Sequence, residues 1–175
     1  GIVPATITLV GNTLGSVFQP GLLNNITYSG SDSLTGRIIP PIGTTSSGGL
    51  TSILSTILCG SCSINIIGNP SNVQDELPDW LSSASKLDTT VKNLKEIAES
   101  SGRYYAAGET PPNFGNNADG SGITFVDGDM VLSGAGGGIL VSTGKLVLKD
   151  TFDFNGLIVV TGEDGIVRQG SGNGI

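Results

Sequence analysis

The chain should fold as a mainly β protein, a parallel, right-handed β-helix (β-solenoid) with one amphipathic α-helix packed on its side or end. Three observations lead there. First, Ile123–Leu132, Ile139–Leu148 and Leu157–Ile166 align without gaps. Each opens with a β-rich run and reaches an Asp-Gly or Thr-Gly corner at the same offset, at Gly128, Gly144 and Gly162. Second, these runs are short and bounded by glycine, so one unit cannot bury its apolar face alone, whereas stacked neighbours can. Third, 28 of 175 residues are Gly, only 5% are aromatic and 13% charged, a composition that lets coils turn tightly and approach closely. No Gly-X-Y period points to collagen, and the frequent Val, Ile and Leu runs argue against disorder. Right-handedness follows from the general rule for crossovers between parallel strands.

Residues 1–175 read as one domain in four parts. Residues 1–76 are β-rich and interrupted by loops, with short runs at Ile7–Gly11, Ile26–Gly30 and Ile64–Gly68 that resemble earlier coils. Pro40-Pro41 cannot sit inside a central strand, so Arg37–Gly43 is expected to be an extended loop. Leu50, Ile53, Leu54, Ile57 and Leu58 recur at helical spacing and predict a short helix before Cys59. Residues 77–102 hold the clearest helix, with Leu87, Val91, Leu94, Ile97 and Ala98 forming one stripe. Ser85 with Asp88 suggests its start, Gly102 its stop, and Trp80 an anchor beneath it. Residues 103–121 read as a polar connector, and residues 122–175 as the solenoid repeat, cut short at its C-terminus.

The solenoid core is expected to contain Ile123, Phe125, Ile139, Val141, Phe152, Phe154, Leu157 and Val159, because alternate residues of a strand share a face. The corner glycines should stack about 4.8 Å apart, since coils that turn at different points lose register.

Several residue patterns bear on chemistry. Asp127-Gly-Asp129 has the oxygen-rich character of a Ca²⁺ turn, but the aligned corners read Thr143-Gly-Lys145 and Thr161-Gly-Glu163, so no carboxylate ladder repeats. It is read as a structural turn. Asp150 and Asp153, three apart in an extended segment, should point to opposite faces and make a poor acid–base pair. Tyr104 and Tyr105, beside Arg103 in polar surroundings, are the candidates for stacking on a ligand. No catalytic residue, metal ligand or cofactor site is assigned. Histidine is absent, which removes the usual general base, the nucleophile–His triads and the commonest zinc ligand. A net charge of −7 and a pI near 4.3 argue against nucleic acid as a partner. No stretch reaches membrane-span length, and the start at Gly1 without a charged n-region is read as the mark of a removed segment.

Several of these segments together resemble the extracellular region of PilX-like type IV pilus assembly proteins of acidobacterial type. The similar elements are Pro4-Ala-Thr-Ile-Thr-Leu-Val-Gly11, Leu77-Pro-Asp-Trp-Leu81 with the helix after it, Ile123–Gly134, and the ending from Gly138 through Phe152–Val160 to Gly174. The likeness is most specific over the last 55 residues or so, and the family's N-terminal hydrophobic segment is missing. It implies a non-enzymatic structural or adhesive module at the cell surface, extracellular or periplasmic. Its expected partners are other pilus or cell-surface proteins, then polysaccharide, with a membrane reached only through the missing N-terminal segment. The family brings no catalytic residues. In an exported protein Cys59 and Cys62 suit a structural disulfide closing a tight loop. The thioredoxin-like reading of Cys-Gly-Ser-Cys wants a helix at its first Cys, whereas the β-type run Ser63–Ile67 follows. The alternatives carried beside the surface module are a carbohydrate-active β-helix enzyme and a self-assembling scaffold of bactofilin type.

Overall fold

The structure, a computed structural model, describes residues 4–10, 27–30, 36–57 and 65–169. Cys59 and Cys62 lie outside the described residues. The chain clusters into two compact units that divide at Leu87 and Asp88.

In the first unit, β1 (Ile7–Leu9), β2 (Thr27–Ser29), β3 (Ile42–Thr44), α1 (Ser47–Ile57), β4 (Asn65–Ile67) and β5 (Ser71–Asn72) follow in order. All pairings are parallel: β3 lies between β1 and β5, and β2 pairs β4. Pro40 and Pro41 stand just before β3 and use only their carbonyls, which accept from the Thr6 and Ile7 amides. A central strand therefore begins directly after two prolines, inside the segment expected to be a loop. Ile42, Ile53 and Val73 are the fully buried aliphatic residues described in this unit. The Ser46 hydroxyl accepts from the Gly49 amide and so caps α1. Gly48 and Gly49 thus lie within the first turn of the helix.

Helix α2 (Ala84–Ser100) is the predicted amphipathic helix. Its cap is Ser83, whose hydroxyl accepts from the Lys86 amide, two residues before the expected Ser85. Ala98 is fully buried and Leu87, Val91 and Leu94 are half-buried, while Ile97 points away at 49% exposure. The stripe is one residue narrower than its sequence suggests.

The second unit contains the solenoid, about four turns over residues 104–169. Its strands β6 (Tyr104–Tyr105), β7 (Ile123–Val126), β8 (Met130–Ser142), β9 (Leu146–Val160) and β10 (Ile166–Gln169) pair in parallel with each sequence neighbour. Three columns run through the stack. Tyr104, Phe125, Val141 and Val159 lie in one, Met130, Leu146 and Ile166 in the second, and Phe114, Gly136 and Phe154 in the third. The solenoid therefore starts at Tyr104 and not at 122. What reads as a polar connector supplies β6 and a buried phenylalanine, Phe114, and forms the first coil.

The interior packs Val126, Leu140, Ile158 and Val160 with Met130, Leu132, Leu146, Leu148, Phe114, Phe152, Phe154 and Ile166. From Phe114 onward all these residues have even numbers, so the corners do not shift the in–out alternation. Phe152 and Phe154 face the interior as expected. Ile123, Phe125, Ile139, Val141, Leu157 and Val159 alternate with these and lie on the other face of their strands; of the six, Ile123, Ile139 and Leu157 are corrections to the predicted core. Phe125, Val141 and Val159 are buried nonetheless, Ile123 and Ile139 are half-buried, and Leu157 is 40% exposed. Both faces of this column are apolar, so period-2 alternation alone carries no sign.

The corner glycines do stack. The Gly144 amide donates to the Gly128 carbonyl at 3.0 Å. A Cβ on Gly144 would lie closer than 3.0 Å to Gly128 and Asp129, and one on Gly162 equally close to Gly144. Only Gly128 has positive φ, 142°. Gly144 and Gly162 are required by close approach, not by their own backbone conformation. Gly134 is the converse, with φ 79° and open space around it. Gly134→Ala should therefore cost about 1 kcal/mol in backbone strain, and Gly144→Ala about 3 kcal/mol through overpacking. Urea-unfolding midpoints at unchanged m-value would rank the two, and the reverse order would refute the stacked corner.

Candidate functional site

A polar constellation lies at the corner between the first and second columns of the solenoid. Asp127 leaves β7 just after Val126, and its backbone amide is fixed by the Tyr105 carbonyl at 2.9 Å. Its carboxylate accepts from three elements. The Thr143 hydroxyl of the next coil donates to Oδ1 at 2.9 Å. The Tyr104 hydroxyl of the preceding coil donates to Oδ2 at 3.0 Å. Lys95 Nζ of α2 reaches Oδ2 at 3.1 Å.

Lys95 also stands 4.8 Å above the Tyr104 ring and 6.0 Å from that of Phe125. The two rings are tilted neighbours with centroids 6.0 Å apart. An ammonium over an aromatic face and beside a carboxylate gains from both, although at this exposure each contribution is modest. The Lys95 hydrogen bond, followed by those of Thr143 and Tyr104, holds the Asp127 carboxyl below its ordinary 3.8. Asp127 in turn raises Lys95 above 10.5. The side chains are 36% and 39% exposed, so solvent screens much of this coupling.

Asp129, two residues on, turns Oδ1 to the Lys145 amide at 2.8 Å. The Ser142 hydroxyl donates to the Gly128 carbonyl at 2.8 Å inside the same corner. Asp127 and Asp129 thus bind donors from neighbouring coils, the role of a structural turn. Among the described residues no group of three or more His, Cys, Asp or Glu side chains gathers as a metal set.

The structure separates the two tyrosines proposed as a stacking platform. Tyr104 lies under Lys95 with its hydroxyl on Asp127, and Tyr105 packs against the solenoid interior. Adjacent strand residues point to opposite faces, so the pair cannot present one surface. Asp153 is exposed, and the side chain of Asp150 lies outside the described residues. Trp80 is half-buried in a short 3₁₀ turn, Asp79–Leu81.

Lys95 escaped the sequence reading, and Arg103 was read only as the neighbour of the two tyrosines. Arg103 donates to the Thr124 hydroxyl at 2.7 Å and to Asn113 Oδ1 at 2.9 Å, tying the first coil to the second. One signal was present: Asp127, Thr143 and Thr161 occupy the same repeat position, where stacked coils must bring their side chains together. Nothing comparable marks Lys95, whose role depends on how α2 lies on the sheet.

These features define a β-solenoid protein in which one coil corner ties a helix to the outer face of the stack. No family model, curated protein or solved structure matches the chain.

The signs of the two pKa shifts fix a pH dependence. The Asp127 contribution is fully present above 3.8 and is lost as pH falls through the lowered folded value. The Lys95 contribution is fully present below 10.5 and is lost as pH rises through the raised value. Asp127→Asn should flatten the acid limb of a melting-temperature profile below about pH 4. An acid limb identical to wild type would refute the corner's role. Tyr104→Phe, which removes one donor, should cost about 1 kcal/mol in denaturant unfolding.

Proposed function

We propose that this chain is a non-catalytic structural or adhesive module of the cell surface, extracellular or periplasmic, associated with type IV pilus assembly. One observation carries the structural part: Lys95, Tyr104, Asp127 and Thr143 are bonded to one another across three coils and a helix. Groups so engaged hold a stack together. A solenoid built this way transmits load along its axis through parallel ladders and offers long faces to partners. The pilus association rests on the sequence likeness of the opening segment, the Leu77–Leu81 region and the glycine-rich ending. Its partners would be other pilus or surface proteins, with polysaccharide as the second class.

Deletion of the gene in the encoding strain, with imaging of surface filaments and a surface-attachment assay, tests the proposal. Loss of pili or of attachment, restored by the intact gene, is expected. Unchanged piliation together with unchanged attachment would overturn it.

A further inference from the structure

The loop that completes the first coil is clasped to the third coil across the second. Asn117 Nδ2 donates to the Gly136 carbonyl at 3.0 Å and to the Asp153 carbonyl at 3.0 Å. Asn155 Nδ2 returns the contact by donating to the Asn117 carbonyl at 2.9 Å. Between them lies Gly137, whose missing side chain lets the two asparagines reach past it. A Cβ there would collide with the Asn116 carbonyl. The clasp holds a tight turn in which the Gly120 amide donates to the Asn116 carbonyl at 3.0 Å and the Asn116 amide to the Ser121 carbonyl at 3.1 Å.

Asn155 is exposed and is followed by glycine. That pairing has a chemical consequence. A glycine amide nitrogen carries no neighbouring Cβ to hinder attack on the side-chain carbonyl before it, so Asn-Gly is the dipeptide most open to cyclisation. Asn113, Asn116 and Asn117 are followed by Phe, Asn and Ala. Gly156 has φ 151° and sits against the Gly138 carbonyl, so the corner must open locally before the ring can close.

We propose that Asn155 is a spontaneous deamidation site, and that its conversion releases the clasp on residues 113–121. The Gly156 nitrogen, having lost its proton to solvent base, bonds to Asn155 Cγ. The Cγ–Nδ2 bond breaks, and the amide nitrogen leaves as ammonia with its protons supplied by solvent. Water then opens the succinimide. Addition at Cγ gives aspartate, and addition at the main-chain carbonyl gives isoaspartate. No oxidant or reductant is involved. The aspartate places a carboxylate oxygen where the Nδ2 donor stood, facing the Asn117 carbonyl. Two acceptors then meet, and the contact becomes repulsive. The isoaspartate adds a backbone atom at a corner where coils must match, and breaks the register there.

The test incubates the folded chain at mildly alkaline pH. Peptide mapping follows conversion at each asparagine, and hydrogen exchange follows the amides of Asn116, Gly120 and Ser121. Conversion at Asn155 should precede that at Asn113, Asn116 and Asn117. Exchange at the three amides should rise with incubation time, on the order of tenfold in the converted fraction, as expected for loss of a side-chain clasp. Asn155→Gln cyclises far more slowly, so its exchange should stay constant over the same period. Asn155→Asp should show the raised exchange from the start. If Asn155 keeps its amide while another of these asparagines converts, or if conversion leaves the exchange of the turn unchanged, the proposal is overturned.

Discussion

Each coil from β7 to β9 must set its backbone groups one strand spacing from those of its neighbour, in unbroken register from Ile139 with Leu157 to Ser142 with Val160. A helix bundle can absorb a misplaced residue by a small rotation, but a ladder of parallel strands cannot. Every corner has to turn at the same point and within the same thickness. That is why a glycine stands over a glycine at Gly128, Gly144 and Gly162, and why Gly156 lies against the Gly138 carbonyl. The requirement also accounts for the low charge content. An inward position recurs in every coil, so one polar side chain there needs a partner in the coil beside it.

Corners are where that requirement relaxes, and there the polar residues collect. Asp127 takes donors from the coil before it, the coil after it and α2. The helix has reason to be held. Seventeen residues with Ala98 as the one fully buried position give it a thin apolar seam, whereas most of a helix's stability in a protein comes from packing. Lys95 adds the second attachment by lying over Tyr104 while it binds Asp127. Phe125, only 1% exposed, has the Tyr104 ring 6.0 Å from its own and the Lys95 ammonium 6.0 Å from its ring.

The solenoid was legible in the sequence because its signals are local: β-rich runs, a glycine at a fixed offset and a constant period. The phase of the strands was not. Phe125 and Val126, or Val141 and Leu140, are equally apolar neighbours and all four are buried, so alternation alone does not say which of each pair faces the cluster around Leu132 and Leu146. The first coil was hidden for a different reason. Its ladder rests on two residues, Tyr104 and Tyr105, and on Phe114, set among glycine and asparagine that read as a loop. In the candidate site, the shared repeat position of Asp127 and Thr143 was visible, but Lys95 was not. Its contact spans 32 residues and depends on which way the helix is turned. The exposure of Ile97 has the same origin, since helical spacing gives the width of a stripe and not its centre.

The chemistry at the Asp127 corner also bears on whether such a site could catalyse. A carboxylate that serves as a general base near neutral pH needs its pKa raised towards that range, by burial or by a like charge nearby. Asp127 experiences the opposite. Three donors stabilise its ionised form and hold its pKa below 3.8, which makes it a weaker base than a free aspartate. Lys95 is raised in turn, so it keeps its proton and is a poorer nucleophile than an unperturbed lysine. Each shift strengthens the ion pair and weakens the reactivity of its members. The physical chemistry that makes this corner a good fastener makes it a poor active site.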